Sequence, residues 1–464
     1  MRFNTLDEWL AWQETLHPSA IDLGLERIRP VLLRLGLQRP PCAVITVGGT
    51  NGKGSSVAML DAILRAAGYR VGAYTSPHLL RYNERICLDG TPVDDATLCA
   101  AFEAIDQARQ DTSLTYFEFG TLAAFSIFTA APLDVVILEV GMGGRLDAVN
   151  LWDADVALVT TIGIDHTAWL GNTREEIAFE KAGIFRAGLP AVCGDPDPPH
   201  TLLQHADAVG APLYRFGRDF GYGAADVAAV QGRASVGRFQ HPASGDTSAS
   251  MHGAGERSEG FRMPRAANDG SWSWWSVTQR RHALPHPALR GPFQLQNAAG
   301  VLMVLELLTL ILPVNQGDIR QGLSAVQLPG RFQVLPGTPL RILDVAHNPH
   351  GAQVLVQSLR TQPCEGQTHA VMSMLADKDI DGVIGVMRDV IDVWHVAGLD
   401  VPRGLSGAQL AEHLQVAGMI AAVHVHPSIT AAYQQAVQLV DQATAGRVVV
   451  FGSFYTVAEI LDIL

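Results

Sequence analysis

The stretch VITVGGTNGKGSS (residues 44–56) decides the fold of the first half of the chain. An apolar run leads into a glycine-rich turn, which is followed by Lys53 and by hydroxyl residues at a helix start. Glycines let the backbone wrap closely and direct its N–H groups at phosphate oxygens. The pattern departs from GxxxxGK[ST], because Val47 stands at the first glycine position and Gly54 separates Lys53 from the hydroxyls. A strand before the loop and a helix after it still favour a nucleotide site over an ordinary turn, with Ser55 near Mg²⁺.

Short apolar runs alternate with helical periods through the first part of the chain. The runs are almost continuously apolar, which is typical of parallel strands buried on both faces. After the first run, Val57, Leu60 and Leu64 fall on one helical face, and Gly68 ends that helix. The pattern predicts an α/β fold with an open parallel sheet. The five runs are CAVITV (42–47), RVGAYT (70–75), DVVILEV (134–140), DVALVTTIG (155–163) and PAVCG (190–194).

The alternation stops near residue 217. Residues 222 to about 285 are rich in Gly, Ala, Ser and Arg, and this composition predicts a mobile insertion. Within it, the alternating SWSWW (271–275) favours a strand over a surface that stacks a ligand. A helix at 296–308 follows, and LPGRFQ (328–333) then predicts a linker between domains.

A second series of strands and helices follows the linker and predicts a smaller, Rossmann-like C-terminal domain. Its strands are RILDVA (341–346), HAVMSM (369–374), DVWHVAG (392–398), AAVHVHP (421–427) and RVVVFGS (447–453). The expected division is a P-loop domain over 1–328, a linker over 329–333 and a C-terminal domain over 334–464.

Composition excludes several classes of protein. Of 464 residues, 48% are hydrophobic and 17% charged, which excludes a largely disordered chain. The formal charge is 33 − 46 = −13 without a basic stripe, so we expect no nucleic-acid partner. The five cysteines are scattered and form no CxxC pair, which argues against a disulfide framework and a thiolate zinc site. The N-terminus reads as a helix capped by Thr5 and Glu8 rather than a signal peptide, and the apolar stretches are too short to span a membrane. We therefore expect a cytoplasmic protein with no membrane partner.

Polar side chains follow three of the predicted strands. Ser76 follows the second run, Glu139 closes the third, and Asp165 and His166 follow the fourth. Because ligands bind beyond the carboxyl ends of parallel strands, we expect these groups to converge with Lys53 on one crevice. A hydroxyl, a carboxylate and an imidazole there could hold Mg²⁺ beside ATP phosphates. The alternatives are a turn cap at Ser76, an ion pair at Glu139 and a buried, hydrogen-bonded His166.

Lys181 falls on an apolar helical face with Ile177 and Ile184, in a helix that Thr173 and Glu176 start as a capping box. A lysine on such a face commonly extends its ammonium group to solvent. The alternative is a desolvated lysine with a depressed pKa. A neutral amine can take up CO₂ and become a carbamate, which turns a cation into a metal-binding carboxylate.

Nine motifs span nearly the whole chain in order: GTNGKGS (49–55), TSPHLLRYNERI (75–86), LEVGMGGRLDAVN (138–150), IDHTAWLG (164–171), EKAGIF (180–185), LPGRFQ (328–333), DVAHNPH (344–350), LADKD (375–379) and GSFYTVAE (452–459). Together they resemble those of the folylpolyglutamate synthase/dihydrofolate synthase family, within the ATP-dependent ligases that include the muramyl amino-acid ligases. Only the insertion at 222–285 has no counterpart that we can place.

The resemblance implies an ATP-binding N-terminal domain, a Rossmann-like C-terminal domain and an active site between them. The residues that it places around ATP are Thr50, Asn51, Gly52, Lys53, Asn297, Arg331 and Asp344. Those that it places around Mg²⁺ are Ser76, Glu139 and His166, with Ser55 as a further candidate. Lys53, Lys181, His347 and Ser453 become the catalytic candidates. Lys181 matches the carboxylated lysine of the family, and His347 and Ser453 match positions associated with glutamate or nucleotide handling.

Three further stretches, IDLGLERI (21–28), LTYFEFGT (114–121) and GGRLDA (143–148), are similar to those of the bifunctional members. The resemblance then implies that ATP drives the joining of L-glutamate to dihydropteroate, and to the glutamate tail of tetrahydrofolates, through an acyl phosphate. The residues implied in the dihydropteroate site are Ile21, Asp22, Leu23, Thr115, Tyr116, Phe117, Glu118, Leu146, Asp147 and Ala148. Three alternatives stay open: a monofunctional folylpolyglutamate synthase, a muramyl-type ligase, and a P-loop switch or partner-binding protein without ligase chemistry. We expect a monomer.

Overall fold

The structure is a computed structural model that describes residues 2–223 and 270–464, apart from positions 363, 402, 420, 421 and 444. Within this part of the chain, two mainly parallel sheets form the centres of two α/β domains. The predicted fold class is therefore confirmed.

The larger sheet carries the phosphate loop. Its strands are β1 (Ala43–Gly48), β2 (Val71–Tyr74), β3 (Ile86–Leu88), β4 (Thr91–Pro92), β5 (Val135–Glu139), β6 (Val156–Val159), β7 (Ala191–Cys193) and β8 (Leu213–Arg215). Their order is β4-β3-β2-β5-β1-β6-β7-β8, and all neighbours are parallel except at the β2-β3-β4 edge. Strand β1 lies between β5 and β6, and every one of its residues is buried. This central position explains why its sequence is apolar without alternation.

Helices cover both faces of this sheet. They are α1 (Leu6–Leu16), α2 (Ile28–Arg34), α3 (Lys53–Ala66), α4 (Asp95–Arg109), α5 (Tyr116–Ala130), α6 (Thr167–Leu170), α7 (Arg174–Ala182), α8 (His200–Val209), α9 (Phe293–Leu307) and α10 (Gln316–Ala325). Helices α3, α9 and α10 pack on the face that contains Ile45 and Val47, whereas α1, α4, α5, α7 and α8 share a core with Val44. The predicted capping boxes at the starts of α1 and α7 are both present.

A small antiparallel sheet packs beside α9. Its strands are β9 (Phe220–Gly223), β10 (Ser271–Ser276) and β11 (Arg280–Pro285), in the order β11-β10-β9. The strand predicted at 271–275 is confirmed, and Trp274 Nε1 donates to the Ala299 carbonyl of α9 at 3.1 Å. The prediction of a mobile insertion was wrong for 280–285, because cross-strand pairing with β10 orders a segment whose own sequence shows no alternation. The rest of the predicted insertion, 224–269, lies outside the described residues.

The C-terminal domain has the five predicted strands and one that was not predicted. They are β12 (Gln333–Leu335), β13 (Leu340–Leu343), β14 (Gln367–Met372), β15 (Val393–Ala397), β16 (Ala422–His426) and β17 (Gly446–Phe451). The order is β12-β13-β17-β14-β15-β16, with only the short β12 antiparallel. Helices α11 (Pro349–Thr361), α12 (Ile380–Met387) and α13 (Gly407–Val416) cover one face, and α14 (Ile429–Gln442) and α15 (Phe454–Asp462) cover the other.

Histidines of three adjacent strands stack on the α14 side of this sheet. The rings of His369 and His424 each stack on His395, with centroids 5.3 and 5.2 Å away. His395 Nε2 lies 3.1 Å from His369 Nδ1, and its Nδ1 lies 3.0 Å from His426 Nε2. Burial, assisted by the neighbouring histidines, lowers the pKa of His395 to about 3. His395, which the other rings contact, is therefore neutral near pH 7.

Candidate active site

The phosphate loop lies between the end of β1 and the start of α3, as predicted. Gly49 and Gly52 have φ angles of 138° and 90°, which other residues rarely adopt. A Cβ at Gly52 would lie 2.5 Å from Asn297 Oδ1, and one at Gly49 would overlap Thr160 Oγ1. The glycines therefore let the loop lie close to its neighbours and leave room for a ligand.

Hydroxyl groups at the end of β6 hold this loop. Thr160 Oγ1 and Thr161 Oγ1 both donate to the Asn51 carbonyl, at 2.7 and 3.0 Å. Thr50 Oγ1 donates to the Gly163 carbonyl at 3.1 Å. Helix α3 begins directly after the loop, and the first N–H groups of a helix have no intrahelical partners. The loop and this helix end together form a site suited to an anion.

The partly buried Lys53 and the buried Lys181 meet behind the loop. Lys53 Nζ and Lys181 Nζ donate to the same Gly49 carbonyl, at 3.0 and 2.9 Å. Burial lowers the pKa of both lysines, and with the nearby charge of Lys53 it lowers that of Lys181 to about 7. Only 4% of Lys181 is exposed, so its ammonium group does not extend to solvent. Of the two alternatives for Lys181, the structure supports the desolvated lysine.

The residues predicted to bind Mg²⁺ line one side of a cavity next to the phosphate loop. Glu139 ends β5, and its Oε2 accepts from Ser76 N at 3.3 Å. Ser55 Oγ accepts from Gln294 Nε2 at 3.4 Å. Burial raises the pKa of Glu139, which the Lys53 charge opposes, and burial lowers the pKa of His166 to about 4. His166 is thus a neutral imidazole that can act as a ligand.

The donor set is suited to one kind of cation. Among the described residues, no three His, Cys, Asp or Glu side chains converge in a way that could hold a metal by themselves. Mg²⁺ commonly takes only one or two carboxylates and fills its remaining positions with water and substrate phosphates. One buried carboxylate beside hydroxyl groups and a phosphate loop therefore fits Mg²⁺ and not a closed zinc site.

The C-terminal domain contributes the opposite wall. Asp344 accepts from Phe332 N and Ala346 N, both at 2.8 Å, and so holds the connecting segment against the end of β13. The Arg331 guanidinium lies 5.0 Å from the ring of Phe454. His347 Nδ1 lies 2.8 Å from the Val345 carbonyl, and burial lowers its pKa to about 4.

These two walls enclose one cavity of about 500 Å³. The predicted residues that line it are Thr50, Asn51, Gly52, Lys53, Ser55, Ser76, Glu139, His166, Asn297, Arg331, Asp344, His347 and Ser453. Ser453 also has a structural role, because its Oγ accepts from Thr456 N at 2.9 Å as the N-cap of α15. The cavity therefore brings together predicted residues from Thr50 to Ser453.

Two protein-family models match the chain, the Mur ligase middle domain over residues 47–256 and the Mur ligase glutamate ligase domain over 330–454. The dihydrofolate synthase/folylpolyglutamate synthase of Escherichia coli (strain K12) is 40% identical over 99% of this chain and 95% of its own length. The chain belongs to the dihydrofolate synthase/folylpolyglutamate synthase family. It is therefore an ATP-dependent ligase rather than a P-loop switch, and its resemblance to muramyl ligases is one of shared domains.

Solved structures of the family agree over the whole chain. The Escherichia coli FolC structure in complex with DHPP and ADP matches with a TM-score of 0.84 and 40% identity, over 99% of this chain and 97% of that one. The bifunctional enzyme of Yersinia pestis, complexed with AMPPNP and Mn ion, matches with a TM-score of 0.83 and 42% identity, over 99% and 98% of the two chains.

The sequence analysis did not single out Lys378, which reaches the cavity from the C-terminal domain. Lys378 Nζ donates to Asp165 Oδ1 at 3.0 Å across the cavity, and Asn348 Nδ2 donates to Asp165 Oδ2 at 2.9 Å. Burial alone would raise the pKa of Asp165, but His166, Lys378 and His347 together hold it well below its usual range. The chain contains only three lysines, and all of them lie at this site. That scarcity was a signal in the sequence that could have identified Lys378.

The residues predicted for dihydropteroate lie beside the cavity, and they are absent from its lining. Phe117 packs against Gly141, where a Cβ would lie 2.5 Å from Phe117 Cζ, and Tyr116 lies 5.5 Å from the Arg85 guanidinium. Gly141 and Arg85 do line the cavity. The predicted stretches therefore form the layer behind one wall.

The remaining predicted carboxylates are engaged inside the protein. Asp147 accepts from Met142 N at 2.7 Å and from Val149 N at 3.0 Å, and burial raises its pKa to about 7. Asp22 and Glu118 both contact Arg27, which the sequence analysis did not single out. Ile21 and Leu23 flank Asp22 in the loop before α2, while Leu146 and Ala148 flank Asp147.

Proposed function

We propose that this ligase joins L-glutamate to dihydropteroate, forming dihydrofolate, and also to the glutamate tail of tetrahydrofolates. The observation that carries the proposal is the single cavity in which the phosphate loop faces residues of the C-terminal domain. Relatives that cover nearly the whole chain are named for both activities. A bifunctional folylpolyglutamate synthase/dihydrofolate synthase that matches this chain has been solved with Mn, AMPPNP and L-glutamate bound, and the Escherichia coli enzyme with DHPP and ADP.

We assign the phosphates of ATP to Thr50, Asn51, Gly52 and Lys53. The Lys53 ammonium and the N-terminus of α3 offset phosphate charge at this site. We assign further contacts with ATP to Asn297, which lies beside Gly52, and to Arg331 and Asp344. Asp344 acts by holding the connecting segment that carries Arg331.

Ser76, Glu139 and His166 would hold Mg²⁺, with Ser55 as a further candidate. When bound there, the ion supplies positive charge beside the phosphates. Among the protein groups, Glu139 contributes the buried carboxylate and Lys53 the charge that favours its ionised form.

The chemistry follows from the poor leaving group of a free carboxylate. The acceptor carboxylate attacks the γ-phosphorus of ATP, the bond to ADP breaks, and an acyl phosphate forms. The amine of L-glutamate then attacks the acyl carbon, and inorganic phosphate leaves as the amide forms. Both steps bring anions together, so the protein contributes chiefly positioning and positive charge. His347 and Ser453 lie where the C-terminal domain would present glutamate, and closure of that domain keeps water from the acyl phosphate.

Lys181 is assigned the carbamate form. Its amine gains CO₂ and loses one proton, which places a new carboxylate behind the phosphate loop. The support is its burial, its pKa of about 7 and its position against the Gly49 carbonyl.

One assay tests the function. ADP release is measured with L-glutamate and either dihydropteroate or a tetrahydrofolate as the acceptor. Release with both acceptors is the expected result. Release with the tetrahydrofolate alone would leave the monofunctional alternative. The domain bounds at 1–328, 329–333 and 334–464, the cytoplasmic location and the monomeric state stay predictions.

A further inference from the structure

Arg27 joins two stretches that are far apart in the sequence. It precedes α2, and its guanidinium donates both to the carboxylate and to the carbonyl of Asp22. The same side chain donates from Nη2 to Glu118 Oε1 at 2.8 Å. Glu118 lies in the first turn of α5, 91 residues further along, and only 5% of its side chain is exposed. The planar guanidinium, with donors on two edges, is suited to such a bridge, and a lysine is not.

The buried Glu118 carboxylate has few positions left for a ligand, whereas 43% of the Asp22 side chain is exposed. Glu118 Oε2 accepts from Thr115 N and Thr115 Oγ1 at 2.7 and 2.9 Å, while its Oε1 is taken by Arg27. Asp22 Oδ2 contacts Arg27 and lies 3.4 Å from His17 Nε2. Asp22 and Glu118 therefore act on each other through Arg27 rather than by facing the cavity. We call Asp22, Arg27 and Glu118 the arginine clamp.

The arginine clamp lies directly behind one wall of the cavity. Tyr116 and Phe117 precede Glu118 on the same turn of α5, and they contact Arg85 and Gly141, which line the cavity. A displacement of the start of α5 would therefore move this wall. The phosphate loop and Lys53 form the part of the cavity proposed for ATP. Their hydrogen bonds are to residues outside the arginine clamp.

We propose that Arg27 is a positioning residue that sets the use of dihydropteroate, an inference that rests on the proposed function. Dihydropteroate has no glutamate, so its pterin and aminobenzoate groups provide all of its binding surface. A tetrahydrofolate with a glutamate tail carries further carboxylates, which can contact cationic cavity residues such as Arg290 and Arg403. Loss of the arginine clamp therefore weakens dihydropteroate binding more than tetrahydrofolate binding.

The test uses Arg27→Met, Glu118→Gln and the double variant of the full chain. Glutamine keeps the capping interaction with Thr115 but removes the charge that faces Arg27. The matched control is Arg34→Met, because Arg34 ends α2, the helix that follows Arg27, and donates to the Ala108 and Arg109 carbonyls of α4 at 3.1 and 3.3 Å. For each protein, kcat and KM are measured for dihydropteroate, a tetrahydrofolate and ATP.

We expect Arg27→Met to raise the KM for dihydropteroate about tenfold or more, since it removes charge-assisted hydrogen bonds behind the wall. The KM for ATP and both kcat values should stay within about twofold, and the KM for the tetrahydrofolate should rise less than about threefold. Glu118→Gln should have the same effect in a milder form. The double variant should be no worse than Arg27→Met, because the contact is already lost. Arg34→Met should resemble the wild type.

Several results would overturn the inference. They are an equal rise in KM for both acceptors, a fall in kcat alone, and strictly additive effects in the double variant. If Arg27→Met does not fold, Glu118→Gln provides the test. An unchanged KM for dihydropteroate in that variant would overturn the inference. A wild-type enzyme that releases no ADP with dihydropteroate would overturn the proposed function and this inference together. A wild type active on dihydropteroate with unaffected variants would overturn the inference alone.

Discussion

Lys181 should carry CO₂ at neutral and mildly alkaline pH, and its loss should stop both reactions. The relevant perturbations are Lys181→Met, which removes the amine, and Lys181→Arg, which keeps a charge but cannot form a carbamate. Both side chains are close in length to the lysine whose Nζ donates to the Gly49 carbonyl at 2.9 Å.

The magnitude follows from the lowered pKa. With a pKa of about 7 in place of 10.5, about nine-tenths of the Lys181 amines are neutral at pH 8, against about 0.3% for an ordinary lysine. Burial disfavours the charged ammonium form of Lys181. The fraction of the reactive neutral amine therefore increases as the pH rises through 7. At pH 6 only about a tenth remains neutral, so carbamate formation should slow about tenfold between pH 8 and pH 6.

Carbon-13 NMR in ¹³C-labelled bicarbonate measures the carbamate directly. The chain offers only three lysines, so the spectrum should be simple. We expect one carbamate signal in the wild type at pH 8 and none in Lys181→Arg or Lys181→Met. Both variants should lose at least about 10²-fold in ADP release with either acceptor, as when a preorganised charge is removed from an active site.

A wild-type spectrum without a carbamate signal would refute the assignment. Near-normal turnover of a folded Lys181→Met would do so as well, whatever the spectrum. Loss of activity with one acceptor only would show that Lys181 serves a substrate instead of the shared phosphate chemistry.

Three further predictions concern the phosphate loop and the histidine stack. Lys53→Ala should lower turnover about 10²–10³-fold, and circular dichroism should show an intact fold; a folded variant with normal turnover would contradict the assignment. Gly52→Ala should raise the KM for ATP and lower the melting temperature, because φ is 90° and the added Cβ meets a neighbouring side chain; an unchanged KM would show that the loop tolerates it. Acid should weaken the C-terminal domain, since His395 has a pKa of about 3 in the fold against 6.5 for an ordinary histidine. Its contribution to stability is complete above about pH 6.5 and is lost toward pH 3, at up to about 1.4 kcal/mol per pH unit. Thermal unfolding at pH 7.5 and 5.5 should therefore show a smaller acid loss in His395→Gln than in the wild type, and equal losses would contradict the role of the stack.

Local sequence patterns determined much of this protein. The phosphate loop is formed by neighbouring residues in the sequence. Its glycines are required because a Cβ would clash with side chains that lie against the loop. The capping boxes at Thr5 and Thr173 join residues three positions apart, so their patterns suffice. Buried parallel strands need apolar side chains on both faces, which is why β1 and β5 could be recognised in the sequence. The family motifs then brought the separate sites together.

Tertiary structure alone decided the contacts that have no local pattern. Strand β11 is ordered by pairing with β10. Lys378 meets Asp165 over a separation of 213 residues, and Arg27 meets Glu118 over 91. The sequence does not distinguish a charged side chain that faces solvent from one that pairs with a distant carboxylate, because neither leaves a local pattern. Only the folded chain sets which charges are buried together. Burial lowers the pKa of Lys181, whereas the charged neighbours of Asp165 hold its pKa low against the effect of burial.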